Sequence, residues 1–107
     1  MKTISTKELK EKIDSGEDFK LVNVLSKESF EARHIPKSIN LPANELDERA
    51  PKELPDKNEE IIVYCSSETC HASVNAGEKL EELGYSNVFH YKDGLAGWQN
   101  EGLEFKE

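Results

Sequence analysis

The stretch Glu60-Ile61-Ile62-Val63-Tyr64-Cys65-Ser66-Ser67-Glu68-Thr69-Cys70-His71-Ala72-Ser73 decides how this 107-residue chain is read. Three β-branched residues in succession make Glu60 to Tyr64 a strand, and the unbroken apolar run marks it as buried on both faces. Small hydroxylated residues then suit a loop, and a helix is expected from about His71 to Leu83. Its Ala72, Ala76, Leu80 and Leu83 fall on one face, and Gly84 follows as a natural C′ residue. Strand, loop and helix in that order leave Cys65 at the carboxyl end of a buried strand.

Working outward, the same alternation recurs. Ser5-Thr6-Lys7-Glu8 matches a capping box and opens a helix with Leu9 and Ile13 on one side, stopping near Gly16. Phe19 to Leu25 reads as a second buried strand. Ser26 caps a short helix to about Arg33, Ile39 to Leu41 forms a brief strand, and Ala43 to Ala50 forms another short helix. Pro51 and Pro55 are expected to bracket a surface loop. Asn87 to Tyr91 is a strand, and Asp93-Gly94 turns the chain into a last helix carrying Trp98. Strands alternating with helices predict an α/β fold with a mainly parallel sheet, in one domain over residues 1–107. Ligands in such sheets bind at the carboxyl ends of the strands, which is where Cys65 falls.

Composition narrows the function. With 22 acidic and 14 basic residues the formal charge is −8, which argues against nucleic acid as a partner. No apolar run approaches the roughly 20 residues of a membrane span, and Met1 to Thr6 lacks the apolar core of a secretory signal. A cytoplasmic location without membrane association is therefore expected, with Cys65 and Cys70 as free or redox-active thiols. No long apolar stripe is left over for self-association, so a monomer is expected.

A loop that folds back onto a helix N-terminus points several N–H groups into one concavity, and the helix dipole adds partial positive charge. A thiol facing it is held as thiolate below its ordinary pKa of about 8.5. Ser66, Ser67 and Thr69 can add O–H donors. The plainer alternative is a cysteine that merely ends a core strand, since free cysteine is among the most buried residue types.

Three stretches resemble the rhodanese-like (sulfurtransferase) family. Leu21-Val22-Asn23-Val24-Leu25, Glu28 and His34-Ile35-Pro36-Lys37-Ser38-Ile39-Asn40-Leu41-Pro42 resemble its first signature. Tyr64-Cys65 with its loop and helix resembles the active-site loop, and Gly84-Tyr85, Val88, Gly94 and Trp98 resemble the closing signature. The resemblance implies a three-layer α/β fold in which Cys65 accepts a sulfane sulfur as a persulfide, the loop from Ser66 through Ser67, Glu68 and Thr69 to His71 cradles the anion, and a nucleophilic thiol accepts the sulfur. No cofactor is implied.

The departures from the family pattern refine this. The usual loop runs Cys-x-x-Gly-x-Arg-Ser. Here it is about two residues longer, Ser73 takes the place of the serine, and the arginine position falls on Ala72. No Lys or Arg lies between Cys65 and Ser73, and Glu68 contributes a negative charge. Thiosulfate, a dianion, is therefore expected to be a weak donor compared with polysulfide or a protein persulfide. The missing arginine also argues against the phosphatase and arsenate reductase chemistry of related longer loops. Asn23, Leu25 and Arg33 replace the usual Asp, Arg and Gly, which suggests that a buried polar contact has been exchanged for an apolar one.

Cys70 is expected either to resolve a persulfide or oxidised Cys65, or to pack as a small residue under the loop. The spacing of Cys65, Cys70 and His71 matches no standard zinc pattern, so no metal is expected. His34 reads as structural, and so in the first place does His90 at the end of its strand, with a local positive charge near the loop's rim as the alternative. Two functions remain open: a sulfurtransferase-type sulfur carrier, and a non-catalytic module that binds a partner or senses redox state through its two thiols.

Overall fold

A computed structural model of the protein describes residues 1–67 and 69–106. The expected buried strand is there, and it takes the middle of the sheet with four others among the described residues. In chain order these are β1 (Lys2–Ile4), β2 (Lys20–Asn23), β3 (Ser38–Asn40), β4 (Ile61–Tyr64) and β5 (Val88–Tyr91). They lie side by side in the order β1-β5-β4-β2-β3, and every neighbouring pair is parallel. The helices are α1 (Thr6–Ser15), α2 (Lys27–Ala32), α3 (Leu46–Glu53), α4 (Ala72–Glu82) and α5 (Gly94–Asn100).

The period of two along each strand sorts the core into two halves. Ile61, Val63 and Cys65 share one face with Val22, Val24 and Val88, packed with Leu46, Ala50 and Leu54 of the α3 region and Ala76 and Leu80 of α4. Ile62 and Tyr64 share the other face with Leu21 and Tyr91, packed with Leu9 of α1 and Leu95 and Trp98 of α5. Helices cover both faces, giving three layers. Each fully buried aliphatic side chain contributes about 1.5–3 kcal/mol. This is why the all-apolar run 61–63 takes the middle of the sheet.

Local signals hold where they are chemically specific. Ser5 Oγ accepts from Glu8 N, and Glu8 Oε1 accepts from Ser5 N, each at 3.2 Å, completing the capping box. The helix ends on Gly16, whose left-handed φ of 72° lets its N–H reach Ile13 O. Two readings need correction. Strand β1 was not expected: only Ile4 of its three residues is buried, and it pairs on one side alone, with β5. Pro51 does not open a loop but lies inside α3, which follows a 3₁₀ turn at Ala43–Glu45. Leu46, Ala50 and Leu54, spaced four apart and all buried, outweigh the N–H that proline removes. No helix among the described residues is long and apolar enough to cross a membrane.

Candidate active site

The connection after β4 leads to β5 on one side, whereas the connection after β2 leads to β3 on the other. The carboxyl ends of these adjacent strands are thus a switch point of the sheet. Cys65 stands there, with 1% of its surface exposed.

Its neighbours fix it from both sides. Tyr64, on the opposite face, accepts from Asn23 Nδ2 at 3.0 Å and Ile35 N at 3.1 Å, and donates to Ser38 Oγ at 2.9 Å. Asn23 Oδ1 in turn accepts from Leu25 N at 2.9 Å. The position where the family's aspartate is expected therefore remains polar and fully connected, which corrects the expectation of an apolar exchange. Burial raises the Tyr64 pKa above its usual 10.0, so the phenol stays protonated and can donate.

On the other side, the start of α5 rests on the loop. Leu95 N donates to Cys65 O at 3.1 Å and Ala96 N to Ser66 O at 2.9 Å. Gly94 permits this. Its φ is +60°, and a Cβ there would lie 2.5 Å from Cys65 O, 2.9 Å from Ser66 C and 3.0 Å from Ser67 N. Only a residue without a side chain allows the two backbones to approach so closely. The role of α5 in seating the loop was missed in the sequence, although Gly94 directly after Asp93 was the available signal.

Beyond Ser66 the loop turns tightly. Cys70 N donates to Ser67 O at 3.1 Å, and the hydroxyls of Ser67 and Thr69 share a hydrogen bond of 2.9 Å. Cys65 and Cys70 are joined as a disulfide with their Cα atoms 6.3 Å apart, inside the window such bonds occupy. Cys70 also packs against the core half that holds Cys65. Ser66 Oγ lies 4.0 Å from Cys65 Sγ. Ser66 and Thr69 are exposed, as is His71 at the N-cap of α4, where its side chain makes no capping bond. Glu68 lies outside the described residues.

Ser73, in the first turn of α4, is buried, and its hydroxyl shares a 2.8 Å hydrogen bond with His90 Nε2. Burial, and then the charge of Lys92, push the His90 pKa below 6.5, so at neutral pH it is an uncharged partner of Ser73, which leaves the plainer reading of it and not the alternative of a local positive charge. His34 is structural: its ring stacks on Phe30 at 3.9 Å, and its backbone exchanges two hydrogen bonds with Lys106. A cleft of about 430 Å³ adjoins the loop, lined by Thr6, Ser67 and Thr69 and by the carboxylates Asp93 and Glu101, with no Lys or Arg among the described residues of its wall. Among the described residues no group of three His, Cys, Asp or Glu is placed to hold a metal ion.

A parallel sheet covered by helices on both faces, with a cysteine at its switch point and a loop running into a helix, places the chain in the class of three-layer α/β domains with a strand-end cysteine loop. The chain belongs to the rhodanese-like domain family, whose model matches residues 5–101. It is 32% identical over 95 residues to YrkF of Bacillus subtilis, named as a candidate sulfur carrier protein, covering 89% of this chain and 49% of YrkF. It is 36% identical over 67 residues to the thiosulfate sulfurtransferase PspE of Escherichia coli, covering 63% of this chain and 62% of PspE. The chain thus spans about half to three fifths of these relatives' lengths. Among solved structures, the BH2092 protein of Bacillus halodurans superposes with a TM-score of 0.91 at 29% identity, covering 98% of this chain and 76% of that one.

Proposed function

We propose that residues 1–107 act as one sulfane-sulfur carrier unit, in which reduced Cys65 takes up sulfur as a persulfide and hands it to a nucleophilic thiol. The observation that carries this is the position of Cys65: at the switch point, heading a loop that enters α4, on a backbone fixed by Tyr64 and α5. The N–H groups of an α-helix's first turn lack intrahelical acceptors, so those of α4, with the loop N–H groups of Ser66, Ser67, Thr69 and His71, are the donors for a persulfide anion. The donor is polysulfide or a protein persulfide. Thiosulfate is disfavoured because the loop carries no Lys or Arg and the adjoining cleft presents Asp93 and Glu101.

Intact mass of the reduced protein after polysulfide treatment tests this. One added sulfur that maps to Cys65 and disappears in Cys65→Ser is expected, and no uptake by a folded, reduced protein would refute it. Efficient thiosulfate:cyanide turnover would refute the choice of donor. The disulfide favours one second reading, a redox-sensing module. Partner binding that survives Cys65→Ser and ignores sulfur donors would select it.

A further inference from the structure

The loop brings a second sulfur within bonding reach of Cys65, and the two sulfurs differ in access. Cys65 is buried at the fixed end of β4, whereas Cys70 is partly exposed on the turn closed by Cys70 N and Ser67 O. Bonding of the two cysteines at a Cα separation of 6.3 Å means that a thiolate on Cys70 can reach Cys65 Sγ within this fold. That atom is the inner sulfur of any Cys65 persulfide.

We propose that, beyond handing on its sulfur, the domain acts as a thiol-dependent sulfane-sulfur reductase that releases the outer sulfur of an untransferred Cys65 persulfide as sulfide; this rests on the Cys65 persulfide reading above. The Cys70 thiolate attacks Cys65 Sγ. The bond between Sγ and the outer sulfur breaks, the Cys65–Cys70 disulfide forms, and the outer sulfur leaves with the electron pair as HS⁻. The sulfane sulfur is reduced by two electrons, which come from the two cysteine thiols. An attacker tethered five residues away has an effective concentration far above that of a free acceptor, so this step outruns release to solution thiols.

The disulfide is then the state that awaits reduction. A low-molecular-weight thiol, as its thiolate, attacks the accessible Cys70 Sγ, and Cys65 leaves as a thiolate at the N-terminus of α4. A second thiol cleaves the mixed disulfide from Cys70. The sum is one sulfane sulfur and two thiols converted to one sulfide and one external disulfide. The reaction that supplies this domain is therefore one that leaves sulfur at the sulfane level, and its turnover depends on a thiol pool.

The test uses the full chain, reduced and freed of reductant, with one equivalent of glutathione persulfide. Sulfide, glutathione and intact mass are followed under anaerobic conditions. Wild type is expected to lose two hydrogens, retain no added sulfur and release one sulfide. Cys70→Ser is expected to keep one added sulfur on Cys65 and to release sulfide about tenfold more slowly. Glutathione added to the wild-type disulfide should give a transient adduct that maps to Cys70. Wild type that retains the added sulfur as a stable persulfide with Cys70 reduced overturns the reductase and leaves the carrier reading standing. Absence of added sulfur, disulfide and sulfide in both proteins overturns the carrier reading itself. Sulfur uptake by Cys65→Ser, or an adduct that maps to Cys65, overturns the assigned order of attack. If Cys70→Ser does not fold, the wild-type mass, sulfide and adduct measurements decide alone.

Discussion

Substituting Gly94 by alanine probes the contact that seats the loop. At φ +60° an alanine adopts the left-handed region at a cost of about 1 kcal/mol. Its Cβ would also stand 2.5 Å from Cys65 O and within 3.0 Å of Ser67 N, and both obstacles are backbone atoms with no rotamer to escape into. Overpacking of this kind costs typically ~1–3 kcal/mol, so the whole effect is about 2–4 kcal/mol. Gly102 supplies the control: its φ is +71°, but nothing lies within 4 Å of its Cβ position, so its alanine variant carries only the conformational cost. Urea unfolding followed by Trp98 fluorescence measures the difference. With a slope of ~1.5 kcal/mol/M, Gly94→Ala should lower the midpoint by roughly 1.3–2.7 M and Gly102→Ala by about 0.7 M. Persulfide loading should also fall in Gly94→Ala, because the bonds from Leu95 N and Ala96 N to the loop must lengthen. Equal midpoints for the two variants would show that the loop yields freely and refute the argument.

Tyr64→Phe keeps the ring but leaves Ile35 N–H and Asn23 Nδ2 without their acceptor in a buried site, for a loss of about 2 kcal/mol by denaturant titration. Stability should decline as pH falls below 6.5 because of His90. Its native proton affinity is depressed, so the unfolded chain binds the extra proton there, while the stabilisation is fully present above 6.5. His90→Gln, which can still bond Ser73, should flatten that profile in a pH series of urea midpoints. Ala72→Arg places a cation at the mouth of the loop. It should raise thiosulfate turnover by roughly ten- to a hundredfold, as one charge-assisted hydrogen bond would, with polysulfide loading little changed.

What was legible in the sequence is what depends on local chemistry or on unbroken apolar runs. Ser5 and Glu8 announce a cap because the two partners are three residues apart, and Ile61 to Val63 announce a central strand because nothing else buries such a run. Strand β1 escaped because Lys2 and Thr3 are solvent-facing and its pairing partner lies more than eighty residues away. Pro51 misled because its local cost is visible in sequence, whereas the burial of Leu46, Ala50 and Leu54 that offsets it is not. At the site, the thiol at a strand end could be read directly. The network through Asn23, Tyr64 and Ser38 could not, because it joins three separate strands. Nor could the contact of Gly94 with Cys65, which requires knowing that α5 returns to the end of β4.

The Tyr64 network has a mechanical consequence for the residue that follows it. With its phenol tied to β2, to β3 and to the segment between them, Tyr64 acts as a stiff clamp on one end of the loop, while the Cys70 end rides on a single tight turn. Breaking the disulfide should therefore leave the clamped end still and let the far arm swing. Amide hydrogen exchange would see it as unchanged protection at Tyr64 and Cys65 beside faster exchange from Thr69 to His71. Under the proposed function, a site built this way would keep Cys65 in register through each redox cycle and confine the compliance to Cys70.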